Sequence, residues 1–161
     1  MGRVGTESVS QKTVLVVDDD RPVRTLCRAG LEGAGFRVLE AENGEEALAS
    51  VRAERPDVIL LDIMMPGISG WEVTAALLAE RSTDEIPIIF ISARTEPTDR
   101  IRAYELGARA YVTKPFDPDA LAETVATVLG QIERGDRDAA LAETLAALRK
   151  EDITTPKPSS S

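Results

Sequence analysis

Three short apolar runs, Val14-Leu-Val-Val17, Val58-Ile-Leu-Leu61 and Ile86-Pro-Ile-Ile-Phe-Ile91, constrain this chain more than any other feature. Continuous apolar runs of this length suit strands buried on both faces of a parallel sheet. Each run breaks off abruptly on a polar residue: Asp18, Asp62 and Ser92. A shorter strand lies within Phe36 to Ala41, and Ala110-Tyr-Val-Thr113 supplies a last one, ending at Lys114-Pro115.

Helical patterns separate the strands. Val23, Leu26, Cys27, Gly30, Leu31 and Ala34 recur at helical spacing after Pro22, and Asn43-x-x-Glu46 has the spacing of a helix start. Ser69 and Glu72 form a capping-box pattern before a helix expected to run through Val73, Ala76, Leu77 and Glu80. A weaker helix spans about Pro97 to Leu106. Asp117 caps a final one from Pro118 to about Ile132, with Leu121, Val125, Val128 and Ile132 as its buried stripe. Five strands alternating with five helices predict an α/β fold, a doubly wound parallel sheet with helices on both faces. In such sheets the carboxyl ends of strands converge on one crevice. Asp18 and Asp19, Asp62, Ser92 and Lys114 therefore meet there.

Composition narrows the chemistry. The length, 161 residues, supports one domain with tails. A net charge of −9 opposes binding to nucleic-acid phosphates and to anionic lipid surfaces. Cys27 stands alone, which excludes an internal disulfide and a Cys-rich zinc site and fits a reducing cytoplasm. Histidine is absent, so His ligation, Ser-His or Cys-His nucleophile pairs and phosphohistidine on this chain are excluded. Met1 to Lys12 has no apolar signal core, and no stretch approaches the ~18 to 20 apolar residues of a bilayer span.

Carboxylates crowded into a crevice repel one another by about 4 kcal/mol per pair at ~4 Å with an effective dielectric near ~20. A hard divalent cation such as Mg²⁺ and the ammonium of Lys114 are the simple compensators, and both also bind phosphate. A carboxylate can itself accept a phosphoryl group while metal and lysine neutralise its oxygens and a hydroxyl donates to it. The set points to phosphoryl transfer.

The motifs Leu-Val-Val-Asp-Asp-Asp at 15–20, Leu-Leu-Asp-Ile-Met-Met-Pro-Gly at 60–67, Ile-Ser-Ala at 91–93 and Tyr-Val-Thr-Lys-Pro-Phe at 111–116 resemble, in order and spacing, the receiver domain of bacterial two-component response regulators. The resemblance covers residues 12–132 and implies a flavodoxin-like receiver fold of strand order 2-1-3-4-5. It implies that Asp62 is the phosphoacceptor and that Asp19 and Asp62 ligate Mg²⁺, with the main-chain carbonyl of Met64 completing coordination and Asp18 in the outer shell. Lys114 would pair with the phosphoryl group, a cis peptide at Pro115 would aim it, and Ser92 and Tyr111 would be the switch hydroxyl and aromatic. A phosphoryl group adds about −1.5 to −2 charges at Asp62, drawing Ser92 toward it and letting Tyr111 move, so that the surface of the fourth helix, fifth strand and fifth helix changes.

The plainest reading of Asp20 is a loop residue or helix cap, and that of Trp71 and Cys27 is packing. Arg94 and Met64 lie where family members tune loss of the acyl phosphate. Beyond the receiver, residues 133–151 form a helical extension with Leu141, Leu145 and Leu148 on one face, and Ala-Leu-Ala-Glu-Thr at 120–124 recurs at 140–144. Residues 1–11 read as a flexible arm and residues 152–161 as a disordered tail.

The implied partners are a sensor histidine kinase or phosphotransfer protein as donor, and an effector or second copy at the output surface, without direct nucleic-acid or membrane contact. Three alternatives stand beside this non-enzymatic switch. They are the receiver part of a larger regulator, a phosphorylation-independent dimerisation scaffold, and an aspartate-nucleophile phosphohydrolase. The last needs a second acid two residues after its nucleophile, where this chain has Met64.

Overall fold

The structure is a computed structural model and describes residues 11–135 and 145–149. Its elements are β1 (Thr13–Val17), α1 (Arg21–Gly33), β2 (Arg37–Ala41), α2 (Gly44–Glu54), β3 (Val58–Asp62), α3 (Gly70–Leu78), β4 (Ile88–Ser92), α4 (Pro97–Glu105), β5 (Ala110–Thr113) and α5 (Pro118–Arg134). The five strands form one parallel sheet in the order β2-β1-β3-β4-β5. This is the doubly wound architecture expected from the alternation of apolar runs and helical segments.

Period-two alternation divides the core between the two faces of the sheet. Leu15, Val17, Ile59, Leu61 and Phe90 pack against Val51 of α2, Val73 and Leu77 of α3 and Ala103 of α4. Val14, Val16, Leu60, Ile89 and Ile91 pack against Cys27 and Leu31 of α1 and Leu121, Val125 and Val128 of α5. Because both faces are covered, β1, β3 and β4 are buried along their whole length. A Cβ on Gly30 would lie 2.6 Å from the carbonyl oxygen of Pro118, so glycine is what lets α1 and α5 approach this closely.

The helix starts follow the capping chemistry. Asn43 accepts from the Glu46 amide at 2.8 Å, Ser69 and Glu72 complete a reciprocal capping box, and Asp117 accepts from the Asp119 amide at 3.4 Å.

Several expectations shift. Helix α3 stops at Leu78 rather than continuing through Glu80, because the buried Thr83 hydroxyl donates to the Leu77 carbonyl at 2.6 Å and the chain turns there. Leu26, read with the apolar stripe of α1, is 41% exposed; Arg24 takes a place on the buried face with Cys27 and Leu31. Helix α5 continues to Arg134, two residues past the expected end. Gln11, assigned to the arm, already donates to the Gly35 carbonyl. Residues 145–149 are helical, whereas the rest of the expected extension from 136, the 140–144 echo, the arm at 1–10 and the tail at 152–161 lie outside the described residues.

Candidate functional site

The strand order reverses direction between β1 and β3, and the carboxyl ends of those two strands bound the crevice. Asp18 follows β1 directly and its amide donates to Ala41, extending the ladder by one bond. Asp62 is the last residue of β3 and Ser92 the last of β4. Lys114 follows β5, its amide donates to the Ser92 carbonyl at 2.8 Å, and the Lys114–Pro115 peptide is cis. Behind β3, a Cβ on Gly70 would lie 2.4 Å from the Asp62 carbonyl oxygen; only glycine lets the start of α3 sit against the strand end.

Asp18, Asp19, Asp62, Met64, Ser92 and Lys114 thereby line one cavity of about 490 Å³, together with Asp20, Ala93 and Arg94. Single carboxylate oxygens of Asp18, Asp19 and Asp62 all lie within 4.8 Å of one another. Asp18 and Asp62 are buried while Asp19 faces solvent. The Lys114 Nζ stands 2.8 Å from Asp18 Oδ2 and 3.5 Å from Asp62 Oδ1, bridging the two buried acids.

The electrostatics follow from this crowding. Burial, reinforced by the Asp18 charge, pushes the Asp62 carboxyl up to about 6, against the lowering influence of Lys114 and of the Met64 backbone amide. Burial alone would lower the Lys114 ammonium, but its bond to Asp18 and the Asp62 charge outweigh that and leave it raised. Asp18 Oδ2 is buried, and the Lys114 ammonium 2.8 Å away is its partner. Three carboxylate oxygens this close together, more negative charge than one facing ammonium balances, suit a hard divalent cation with oxygen ligands, Mg²⁺ above all.

The mouth of the cavity is built on Arg94. Its amide donates to Ser92 Oγ at 3.0 Å, its Nε pairs with Asp99 at 3.0 Å, and its Nη1 approaches the Met64 sulfur at 3.5 Å. The Tyr111 hydroxyl donates to the Arg94 carbonyl at 2.8 Å. Tyr111 and Pro115 thus stand next to the cavity rather than in its wall. Asp20 occupies the N-cap position of α1 without a side-chain capping bond, and its place in the cavity wall goes beyond the plain cap reading. Trp71 and Cys27 pack as expected: the indole lies 5.1 Å from the Phe90 ring with Arg102 stacked 4.2 Å above it, and burial, then the Asp18 charge, push the Cys27 thiol up to about 12.

One supporting residue escaped the sequence reading. Buried Arg24 donates from Nη1 to the Asp18 carbonyl at 2.7 Å and from Nε to Glu40 at 3.0 Å, tying the loop after β1 to β2. Positions 24, 27 and 31 share one helical face, but nothing local marks an arginine there as buried.

The fold and the acidic crevice are those of a doubly wound signalling domain, and the family model of the response regulator receiver domain matches residues 14–126. The chain belongs to that family and works in phosphorelay signalling as a receiver. It is 43% identical over 128 residues to the phosphate regulon transcriptional regulatory protein PhoB of Pseudomonas aeruginosa, covering 80% of this chain and 56% of that one. It is 40% identical over 116 residues to protein PilH of the same organism, covering 72% of this chain and 96% of PilH. Among solved structures, the chemotaxis response regulator CheY4 of Vibrio cholerae matches with a TM-score of 0.70 at 33% identity, over 74% of this chain and 99% of CheY4. A CheY-like receiver of Methanospirillum hungatei matches at 0.72 with 28% identity, over 78% and 99% of the two chains.

Proposed function

We propose that Asp62 is the phosphoacceptor and that the phosphoryl group comes from a phosphohistidine on a partner kinase or phosphotransfer protein. The observation that carries this reading is the Lys114 ammonium set between two buried carboxylates at the mouth of which Asp19 remains open to solvent. An Asp62 oxygen attacks phosphorus, a P–O bond forms, the P–N bond breaks, and the imidazole leaves with the electron pair. The carboxyl titrates near 6, so at neutral pH it is mostly ionised and competent as the nucleophile.

Bound Mg²⁺ supplies charge neutralisation at the transferring oxygens. Asp19, Asp62 and the Met64 carbonyl are the residues we assign to hold it, with Asp18 acting through the outer shell. Lys114 neutralises a further oxygen and Ser92 donates to the group once it is in place. Arg94 links Ser92 to Tyr111, so a shift of Ser92 is felt by the aromatic and by the surface of α4, β5 and α5, where an effector or a second copy would bind.

The protein acts as a switch rather than an enzyme with a separate substrate, and it acts in the cytoplasm without direct contact to nucleic acid or membrane. Among the described residues no helix is long and apolar enough to cross a membrane. Match over nearly all of PilH is in keeping with a receiver that stands alone; PhoB, of which this chain spans 56%, keeps the receiver part of a larger regulator as the alternative.

Intact-mass analysis after incubation with acetyl phosphate and Mg²⁺ tests the assignment. One added phosphoryl group in the wild type and none in Asp62→Asn is the expected result. An adduct that persists in Asp62→Asn would overturn it, as would an unmodified wild type that also fails to bind beryllofluoride.

A further inference from the structure

Helix α4 is held at both ends. At its first turn, Asp99 pairs with Arg94, whose amide is bonded to Ser92 at the acidic cavity. At its last residue, Glu105 pairs with Arg149, 44 positions later in the chain. The partner segment is the helical stretch 145–149, in which Ala146, Ala147 and Arg149 are exposed while Leu148 is only 7% exposed.

An exposed ion pair holds little by itself against water and salt, whereas withdrawal of a leucine from water is the larger attraction. The segment carries both an ion pair to α4 and a buried leucine. Leu148 is buried but belongs to neither of the two clusters that cover the faces of the sheet. The contact is therefore peripheral and of the kind that a modest change in α4 can make or break. Helix α4 is nine residues of hydrogen-bonded backbone, stiff enough for a displacement at Asp99 to be felt at Glu105.

We infer that the segment around residues 145–149 is an output element of this receiver: it docks on the carboxyl end of α4 in the unphosphorylated chain and is released when the cavity is occupied. The inference rests on the assignment of Asp62 as the phosphoacceptor. A group bound at Asp62 recruits Ser92, Ser92 releases the Arg94 amide, the Arg94–Asp99 pair re-forms in a new place, and α4 presents Glu105 differently to Arg149. While docked, the segment occupies one flank of the surface formed by α4, β5 and α5, so release both frees the segment and uncovers the flank.

Hydrogen exchange on the full chain, with beryllofluoride and Mg²⁺ as the phosphoryl mimic, tests this at three sets of amides: 92–96 beside the cavity, 101–106 at the end of α4, and 145–149. In the free wild type the last two sets should exchange at least about threefold more slowly than in Arg149→Glu or Leu148→Asp, and Glu105→Arg combined with Arg149→Glu should restore the protection. The mimic should remove that protection in the wild type and leave Asp62→Asn unaffected. Equal exchange at 101–106 and 145–149 in wild type and both single variants would show that no docking exists. A response at 92–96 without one at 145–149 would show that docking is not coupled to the cavity. If 92–96 also fail to respond while the variants still differ, the phosphoacceptor assignment has failed, and the segment docks without reporting on the cavity.

Discussion

Strands β1 and β3 run side by side through the centre of the molecule, and each changes character within one residue. Val14–Val17 and Val58–Leu61 are wholly withdrawn from water among apolar neighbours. Asp18 and Asp62, the next residues, are withdrawn almost as completely but bring negative charge with them. Burial is favourable in the first region, by about 1.5 to 3 kcal/mol for each large side chain. In the second it is unfavourable, and Lys114 offsets only part of it, as the raised Asp62 carboxyl records. The lesson is that the stabilising and reactive parts of this fold are consecutive stretches of the same strands. The strand bodies supply the rigidity that holds the acids at a separation they would not choose.

That contrast can be broken or sharpened by substitution. Phe90→Ala, in the body of β4 against Trp71, should cost the most, about 3 to 5 kcal/mol of stability. Urea unfolding followed by the fluorescence of the single tryptophan measures it, and a loss below ~1 kcal/mol would mean that the strand bodies are not the rigid part.

Gly70→Ala presses a methyl group on the backbone behind Asp62 and should cost about 1 to 3 kcal/mol while slowing phosphorylation by acetyl phosphate, because the carboxylate itself must shift. Loss of stability with an unchanged rate would separate the strand end from the reactive geometry.

Asp62→Asn should go the other way. Removal of a carboxylate that burial and the Asp18 charge push up to about 6 relieves repulsion, and the metal-free protein should gain on the order of 1 to 2 kcal/mol at pH 7.5 in the same urea titration.

The smallest effect is the pH dependence. Asp62 binds its proton more tightly folded than unfolded, so folding takes up a proton between the unfolded value near ~4 and about 6. Metal-free stability should therefore rise as pH falls from 7 to 5. Below that range the Glu40 carboxyl opposes further gain: burial raises it, but its bonds to Arg28 and Arg24 prevail and hold it low. Saturating Mg²⁺ should flatten the rise, since a bound cation replaces the proton. Calorimetry across this range, with and without the metal, reads both.

Legibility in the sequence tracked local physics. The apolar runs and the Asn43, Ser69 and Asp117 caps depend on neighbouring residues only, and each was readable. The strand ends were readable too, because the topology of parallel sheets sends them to one place. What escaped depends on contacts made between elements or across a turn, beyond the reach of periodicity and caps. Arg24 looks like any surface arginine until Glu40 and the Asp18 carbonyl are brought against it. Leu26 looks like a core residue until the direction of α1 turns it toward solvent. The end of α3 was set by Thr83, six residues beyond the carbonyl that it takes.

From sequence alone, then, came the five-stranded parallel fold, the set of acids, hydroxyl and lysine at the strand ends, and the absence of histidine, which excludes a phosphohistidine on this chain. Tertiary structure decided the rest: which acids are buried, that Lys114 bridges Asp18 and Asp62, that Arg94 connects Ser92 to both Tyr111 and α4, and that Arg149 reaches Glu105. The division has one cause. Element type and strand termination follow from periodicity along the chain, whereas charge balance and side-chain linkage depend on distances of a few ångströms between segments that only folding brings together.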